Sequence, residues 1–201
     1  MESLPRDSIS KIAVIGAGPL GRGFAFLCAR KGFEVVLEDV LPSNLRRAQA
    51  ALEQLVAGEI QALRGSLTFA SSVEDAVREA DMVVDFVPDE LESKLEILSL
   101  IDRMAPPKTL ICTPSDALSI TDIASCTYRA AGCVAVRVGD RAPSLAEAAQ
   151  VRLLRSPMTT QVTVDLVVGM FAALGKEALV EDDPEAPVFM HNAHLSKAQP
   201  I

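Results

Sequence analysis

The feature that most constrains this chain is "KIAVIGAGPLGRGFAFLCARKGFEVVLEDV", Lys11 to Val40. There Gly16, Gly18 and Gly21 stand directly after a short apolar run and directly before a helical pattern. In a G-x-G-x-x-G turn the first glycine permits the tight bend, the second lets backbone approach a pyrophosphate, and the third lets helix and strand pack closely. The helix that follows, entered through Pro19 and Leu20, offers unsatisfied N–H groups to phosphate oxygens. A second apolar run ends 23 residues after Gly16 in the acid pair Glu38–Asp39. A carboxylate at that point accepts from an adenosine ribose 2′-OH and repels a 2′-phosphate, so the pattern favours NAD(H) over NADP(H). Alternation from Val35 and Leu37 leaves open which acid faces the ribose. The competing reading is a glycine turn that has lost its ligand.

Beyond the turn, short Val- and Ile-rich runs alternate with longer segments of helical spacing, as in a parallel sheet covered on both faces. Strands are expected near Ile12–Ile15, Glu34–Leu37, Leu67–Phe69, Met82–Phe86, Thr109–Cys112 and Cys133–Val138. Leu45, Leu52, Leu55, Ile60 and Leu63 mark one long helix or two short ones after Pro42–Ser43. Leu91 to Met104 carries a helical stripe that stops at Pro106–Pro107. "VRLLRSP" has no assigned state, a helix is expected from Met158 to Leu174 with Gly175 closing it, and "EALV" forms a last short strand. The chain is irregular from Glu181 on. These elements describe an α/β fold, a Rossmann-type doubly wound, mostly parallel sheet, in one domain over 1–183 with an extended or partly disordered tail over 184–201.

Composition excludes several partners. The 201 residues carry a net charge of -8 with scattered Lys and Arg, so nucleic acid and anionic membranes are disfavoured. No uncharged apolar run approaches the ~18 residues of a membrane span. Cys28, Cys112, Cys126 and Cys133 form no C-x-x-C pair and read as buried free thiols in a reducing, cytoplasmic setting. No metal site is expected: His191 and His194, the only histidines, stand at i, i+3 in the tail without other ligands.

With "GAGPLGRGFA", "ADMVVDFVPDELESKLE", "APPKTLICTPSDALSIT" and "SPMTTQ" in view, the chain resembles the N-terminal NAD-binding domain of the 3-hydroxyacyl-CoA dehydrogenases, from about Lys11 to Pro184. The resemblance implies NAD as cofactor, fatty acid metabolism, and an acyl-CoA or other anionic ligand. It gives the ribose acid to Asp39 and the carboxylate and lysine beside the nicotinamide half to Asp89 and Lys94, with Val87 and Pro114 as further cofactor contacts. For Lys94 a solvated charge on an amphipathic helix is the alternative.

The departures bear on chemistry. Where the family has Asn-Thr-Ser-Ser-Leu, this chain has Pro114, Ser115, Asp116, Ala117 and Leu118, so both the asparagine and the substrate-contacting serine are replaced. The family's histidine, general base for the substrate hydroxyl, falls on Arg137, and its orienting glutamate on Arg152, with Glu147 as a shifted candidate. Guanidinium donates hydrogen bonds and accepts no proton. Asp89 and Asp116 remain as candidate bases, although for Asp116 a helix N-cap or a salt bridge to Arg137 is the favoured reading. The family also continues into a helical domain that builds acyl-CoA and dimer contacts, and this chain is expected to lack it. The expectation is an NAD(H)-binding domain without assigned catalytic residues. The alternative is an active NAD-dependent oxidoreductase with a different base or a substrate domain from a partner. Homodimerisation, with the helix over 158–174 as its face, is left open.

Overall fold

The computed structural model describes residues 8–57, 63–138 and 142–184. Eight strands form: β1 (Lys11–Ile15), β2 (Glu34–Glu38), β3 (Ser66–Ala70), β4 (Met82–Asp85), β5 (Leu110–Pro114), β6 (Cys133–Val138), β7 (Gln150–Arg155) and β8 (Glu177–Asp182). The helices between them are α1 (Pro19–Lys31), α2 (Pro42–Ala57), α3 (Val73–Val77), α4 (Leu91–Met104), α5 (Ile120–Ser125) and α6 (Gln161–Ala173). All strands join one sheet in the order β3-β2-β1-β4-β5-β6-β7-β8. β1 to β6 run parallel, whereas β7 is antiparallel to β6 and β8 parallel to β7. Because strand order reverses between β1 and β4, the loops leaving those strands part and open a crevice at the carboxyl ends of the sheet.

Strand alternation divides the core into two layers. Ile12, Val14, Val35 and Leu37 pack with Phe24 and Cys28 of α1 and Val167 and Phe171 of α6. Ala13, Ile15, Val83 and Ile111 face the other way, onto Val77 of α3, Leu98 and Ile101 of α4 and Ile123 of α5. A fully buried Phe24 or Phe171 contributes roughly 2–3 kcal/mol of transfer free energy. Among the described residues no helix is long and apolar enough to cross a membrane.

Several boundaries differ from those the sequence suggests, each for a local reason. "VRLLRSP" becomes β7, with Val151 and Leu153 buried in the first layer and Leu154 in the second. α6 begins at Gln161 rather than Met158, because the Thr160 hydroxyl caps it by accepting from the Thr163 N–H, while Met158 donates to the Ser156 hydroxyl in the preceding turn. Its apolar residues Val164, Val167, Met170 and Phe171 lie in the core. β8 continues through Asp182, since Arg152 and Arg155 of β7 bind Glu181 and Asp182, so Glu181 belongs to the sheet and not to a tail. Pro42 lies in the first turn of α2, and α3 and α5 are too short for a periodic signal. Cys126 is exposed, unlike the other three cysteines. Ile60, His191, His194 and the rest of the tail from 185 lie outside the described residues.

Candidate functional site

The glycine turn after β1 is built from two kinds of constraint. Gly16 adopts φ 98°, and its N–H donates to the Glu38 carbonyl at 2.8 Å. A Cβ on Gly21 would lie 2.0 Å from the Gly16 carbonyl oxygen, so helix and turn touch there. Gly18 is different: a Cβ would meet no atom within 4 Å. Among the described residues no neighbour accounts for the second glycine. α1 starts at Pro19 with no side-chain cap and no acidic residue in its first turn, leaving the positive end of the helix open to an anion. Leu20 is exposed beside it.

The two acids ending β2 separate in role. Asp39 Oδ2 accepts from the Ala17 N–H at 2.8 Å and from Asn44 Nδ2 at 2.9 Å, and Oδ1 accepts from the Leu41 N–H at 2.8 Å. Asp39 therefore ties the glycine turn to the start of α2 and is the acid positioned at the turn. Glu38 is registered between Ile15 and Ala70, and burial, then the Asp39 charge, pushes its carboxyl up to about 7.

Lys94 is not a solvated charge. It is 1% exposed, and its Nζ donates to Asp85 Oδ1 at 2.6 Å and to the Pro114 carbonyl at 2.9 Å. Asp85 is itself fully buried; burial raises its pKa and Lys94 acts against that rise. Thr113 lies close enough to favour the Asp85 charge, yet among the described residues neither its hydroxyl nor Asp85 Oδ2 has a partner at hydrogen-bond geometry. These two polar atoms and the ammonium lie together at the carboxyl ends of β4 and β5.

Val87 packs partly buried against the α4 layer. Asp89 is exposed, and its Oδ2 accepts the Asp116 N–H at 2.8 Å, joining the loops after β4 and β5. Asp116 is not the helix cap: Ser119 caps α5, accepting from the Asp122 N–H. Nor does Asp116 hold Arg137, whose guanidinium donates to the carbonyls of Ser115 at 3.0 Å and Leu118 at 3.4 Å. The β6–β7 register sets Arg137 opposite Arg152. Glu147 is exposed and accepts from the Ser144 hydroxyl, so it is not the residue across from Arg137.

Asn44, Asp85, Thr113 and Phe86 escaped the sequence reading. Asp85 left a signal, a charge inside the apolar run "MVVDF" nine residues before Lys94. Phe86 supports the turn from below, its carbonyl 3.1 Å from where a Gly16 Cβ would stand and its ring 5.6 Å from that of Phe24. Asn44 gave no signal, because an asparagine early in a helix is commonplace.

A doubly wound sheet with a glycine turn, an open helix N-terminus and a strand-end acid at its switch point defines a dinucleotide-binding Rossmann domain. More narrowly, the chain belongs to the 3-hydroxyacyl-CoA dehydrogenase family: the model of that family's NAD binding domain matches residues 11–183, and NAD is the cofactor. It is 27% identical to the 3-hydroxybutyryl-CoA dehydrogenase of Bradyrhizobium diazoefficiens, over 93% of this chain and 65% of that one. It is 29% identical to human mitochondrial hydroxyacyl-coenzyme A dehydrogenase, over 93% of this chain and 63% of the human one. Among solved structures, the 3-hydroxyacyl-CoA dehydrogenase of Archaeoglobus fulgidus superposes with a TM-score of 0.71 at 30% identity, covering 94% of this chain and 62% of that one. The chain thus spans slightly less than two thirds of these relatives.

Proposed function

We propose that this domain binds NAD(H) in preference to NADP(H) and does not perform the acid–base step of hydroxyacyl-CoA oxidation. In this reading Gly16, Gly18, Pro19, Leu20 and Gly21 hold the pyrophosphate, Asp39 the adenosine ribose, and Val87, Asp89, Lys94 and Pro114 line the nicotinamide half. NAD supplies the hydride acceptor when bound. At the position where the family resemblance puts the base, this chain has no group to take the alcohol proton, because Arg137 stands there.

The observation that carries the reading is Arg137. Oxidation of a secondary alcohol by hydride transfer needs a proton acceptor within hydrogen-bond reach of the hydroxyl. At the end of β6, where the family resemblance puts the histidine, stands a buried guanidinium that donates to two backbone carbonyls. General-base assistance is typically worth about 10²–10⁴-fold, so its loss leaves turnover slow even with both ligands bound. A second reading, an oxidoreductase using another base or a substrate domain from elsewhere, draws on Asp89 and Asp116, two exposed acids whose loops are joined where the Asp116 N–H donates to the Asp89 carboxylate.

Separate calorimetric titrations with NAD, NADH, NADP and acetoacetyl-CoA test the proposal. Saturable heats with NAD and NADH, weaker ones with NADP and none with acetoacetyl-CoA support it. Tight acetoacetyl-CoA binding turns the account toward the second reading, and equal affinity for NADP removes the ribose assignment.

A further inference from the structure

The carboxylate assigned to the adenosine ribose does not stand alone. Asn44, in the first turn of α2, donates through Nδ2 to Asp39 Oδ2 at 2.9 Å, while its Oδ1 lies 3.4 Å from Arg47 Nη1, one turn further along the same helix. The orientation of that amide follows from chemistry. A carboxylate only accepts and a guanidinium only donates, so the NH₂ must face Asp39 and the oxygen must face Arg47. Asn44 is a polar adaptor that links a carboxylate to a guanidinium without letting them meet.

Counting lone pairs sharpens the point. A carboxylate offers about four acceptor positions. On Asp39, Oδ2 receives two donors, the Ala17 N–H and Asn44 Nδ2, and Oδ1 receives one, the Leu41 N–H. Among the described residues no donor fills the last position on Oδ1, which suits a ribose hydroxyl. A phosphate oxygen at the same place brings no donor and meets a negative charge at hydrogen-bond distance. Arg47, the side chain that could neutralise such a phosphate, is exposed and reaches toward the site only as far as the Asn44 oxygen.

We propose that Asn44 is a positioning and specificity-determining residue: bridging Asp39 to Arg47, it fixes the ribose carboxylate and keeps the guanidinium from serving a 2′-phosphate. The proposal rests on the assignment of Asp39 to the adenosine ribose. Cofactor choice is thereby set by three side chains, Asp39, Asn44 and Arg47, rather than by the acid alone. Removing the acid releases the other two. An Asp39→Ser variant loses the repulsive charge and frees both the Asn44 NH₂ and Arg47 to meet a 2′-phosphate, so NADP affinity should rise through Arg47.

The test is a set of dissociation constants for NAD and NADP, with melting temperatures, on the full chain and five variants. Asn44→Ala should weaken NAD roughly tenfold, the scale of one charge-assisted hydrogen bond, with an unchanged melting temperature because the side chain is only partly buried. Asn44→Asp should be worse than Asn44→Ala and regain affinity on acidification, since a second carboxylate repels Asp39. Asp39→Ser should weaken NAD and tighten NADP, and Asp39→Ser/Arg47→Ala should abolish the NADP gain. Asp39→Ala separates the two levels of the argument. If it leaves NAD affinity intact, the ribose assignment itself fails. If it weakens NAD while Asn44→Ala binds both cofactors like the parent, or if the NADP gain survives loss of Arg47, the assignment stands and the Asn44 proposal is overturned.

Discussion

Arg137 and Arg152 face each other across the antiparallel β6–β7 pair. Like charges directly opposite destabilise a sheet unless each finds its own acceptor. Here each does. Arg137 turns to the carbonyls of Ser115 and Leu118, and Arg152 grips Glu181 of β8 with contacts of 2.6–3.1 Å, which holds the Glu181 carboxyl below its ordinary range. A histidine at 137 would stand across the strand pair from Arg152, a cation whose bidentate partner is Glu181 and which occupies the position where the family resemblance puts the orienting glutamate. Arg137→His alone is therefore expected to give no NADH from 3-hydroxybutyryl-CoA and NAD above the parent's background, and steady turnover by that variant would show that orientation by a partner acid is unnecessary.

The Asp85–Lys94 pair makes the site intolerant of single changes. Both side chains are essentially removed from water, so Asp85→Asn leaves an ammonium without its counter-charge. Breaking one side of a buried pair costs about 3–5 kcal/mol, while replacing both by apolar groups is often close to neutral. Urea denaturation should show a large drop in midpoint for Asp85→Asn and recovery of most of it in Asp85→Leu/Lys94→Met. NAD affinity should fall in both variants, separating the structural from the cofactor role.

Gly18 and Gly21 should respond oppositely to a methyl group. In Gly21→Ala the new Cβ runs into the Gly16 carbonyl, so thermal stability should fall by about 1–3 kcal/mol in its free-energy equivalent. Gly18→Ala meets no protein atom, so its melting temperature should match the parent's, while NAD binding should weaken by about an order of magnitude or more because the methyl occupies the pyrophosphate approach. Differential scanning fluorimetry with and without NAD reads both effects.

Glu38 predicts a pH dependence. Its folded pKa is raised to about 7, so between the ordinary carboxylate range and pH 7 the folded chain binds more protons than the unfolded one. Stability contributed by this group is full below the unfolded pKa and is lost as pH rises toward 7, by about 2 kcal/mol in order of magnitude. Glu38→Gln should leave the melting temperature unchanged near pH 4 and raise it near pH 8. An equal gain at both pH values would assign the effect to packing instead of ionisation.

Much of this arrangement was legible from the chain. Gly16, with its positive φ, and Gly21, packed on the Gly16 carbonyl, must be glycines for reasons of backbone geometry that the G-x-G-x-x-G spacing displays directly, and Pro106–Pro107 stops α4 as proline must. What stayed hidden depends on contacts between distant segments. β7 carries no long alternation, and its identity comes from pairing with β6 and β8. Asp39 could not be separated from Glu38 until the turn brought the Ala17 N–H to its carboxylate. Whether Lys94 was solvated depended on Asp85 and the Pro114 carbonyl, which a helical wheel does not show.

The central claim is that this domain holds NAD yet lacks the proton acceptor for hydroxyacyl-CoA oxidation. The most direct test is NADH formation by the NAD-saturated protein with 3-hydroxybutyryl-CoA, followed by absorbance of the reduced nicotinamide after NAD binding has been verified calorimetrically in the same preparation. The account predicts saturable NAD binding and no NADH above the protein-free rate. Steady turnover on the order of 1 s⁻¹, within the usual range of enzymes, would contradict it.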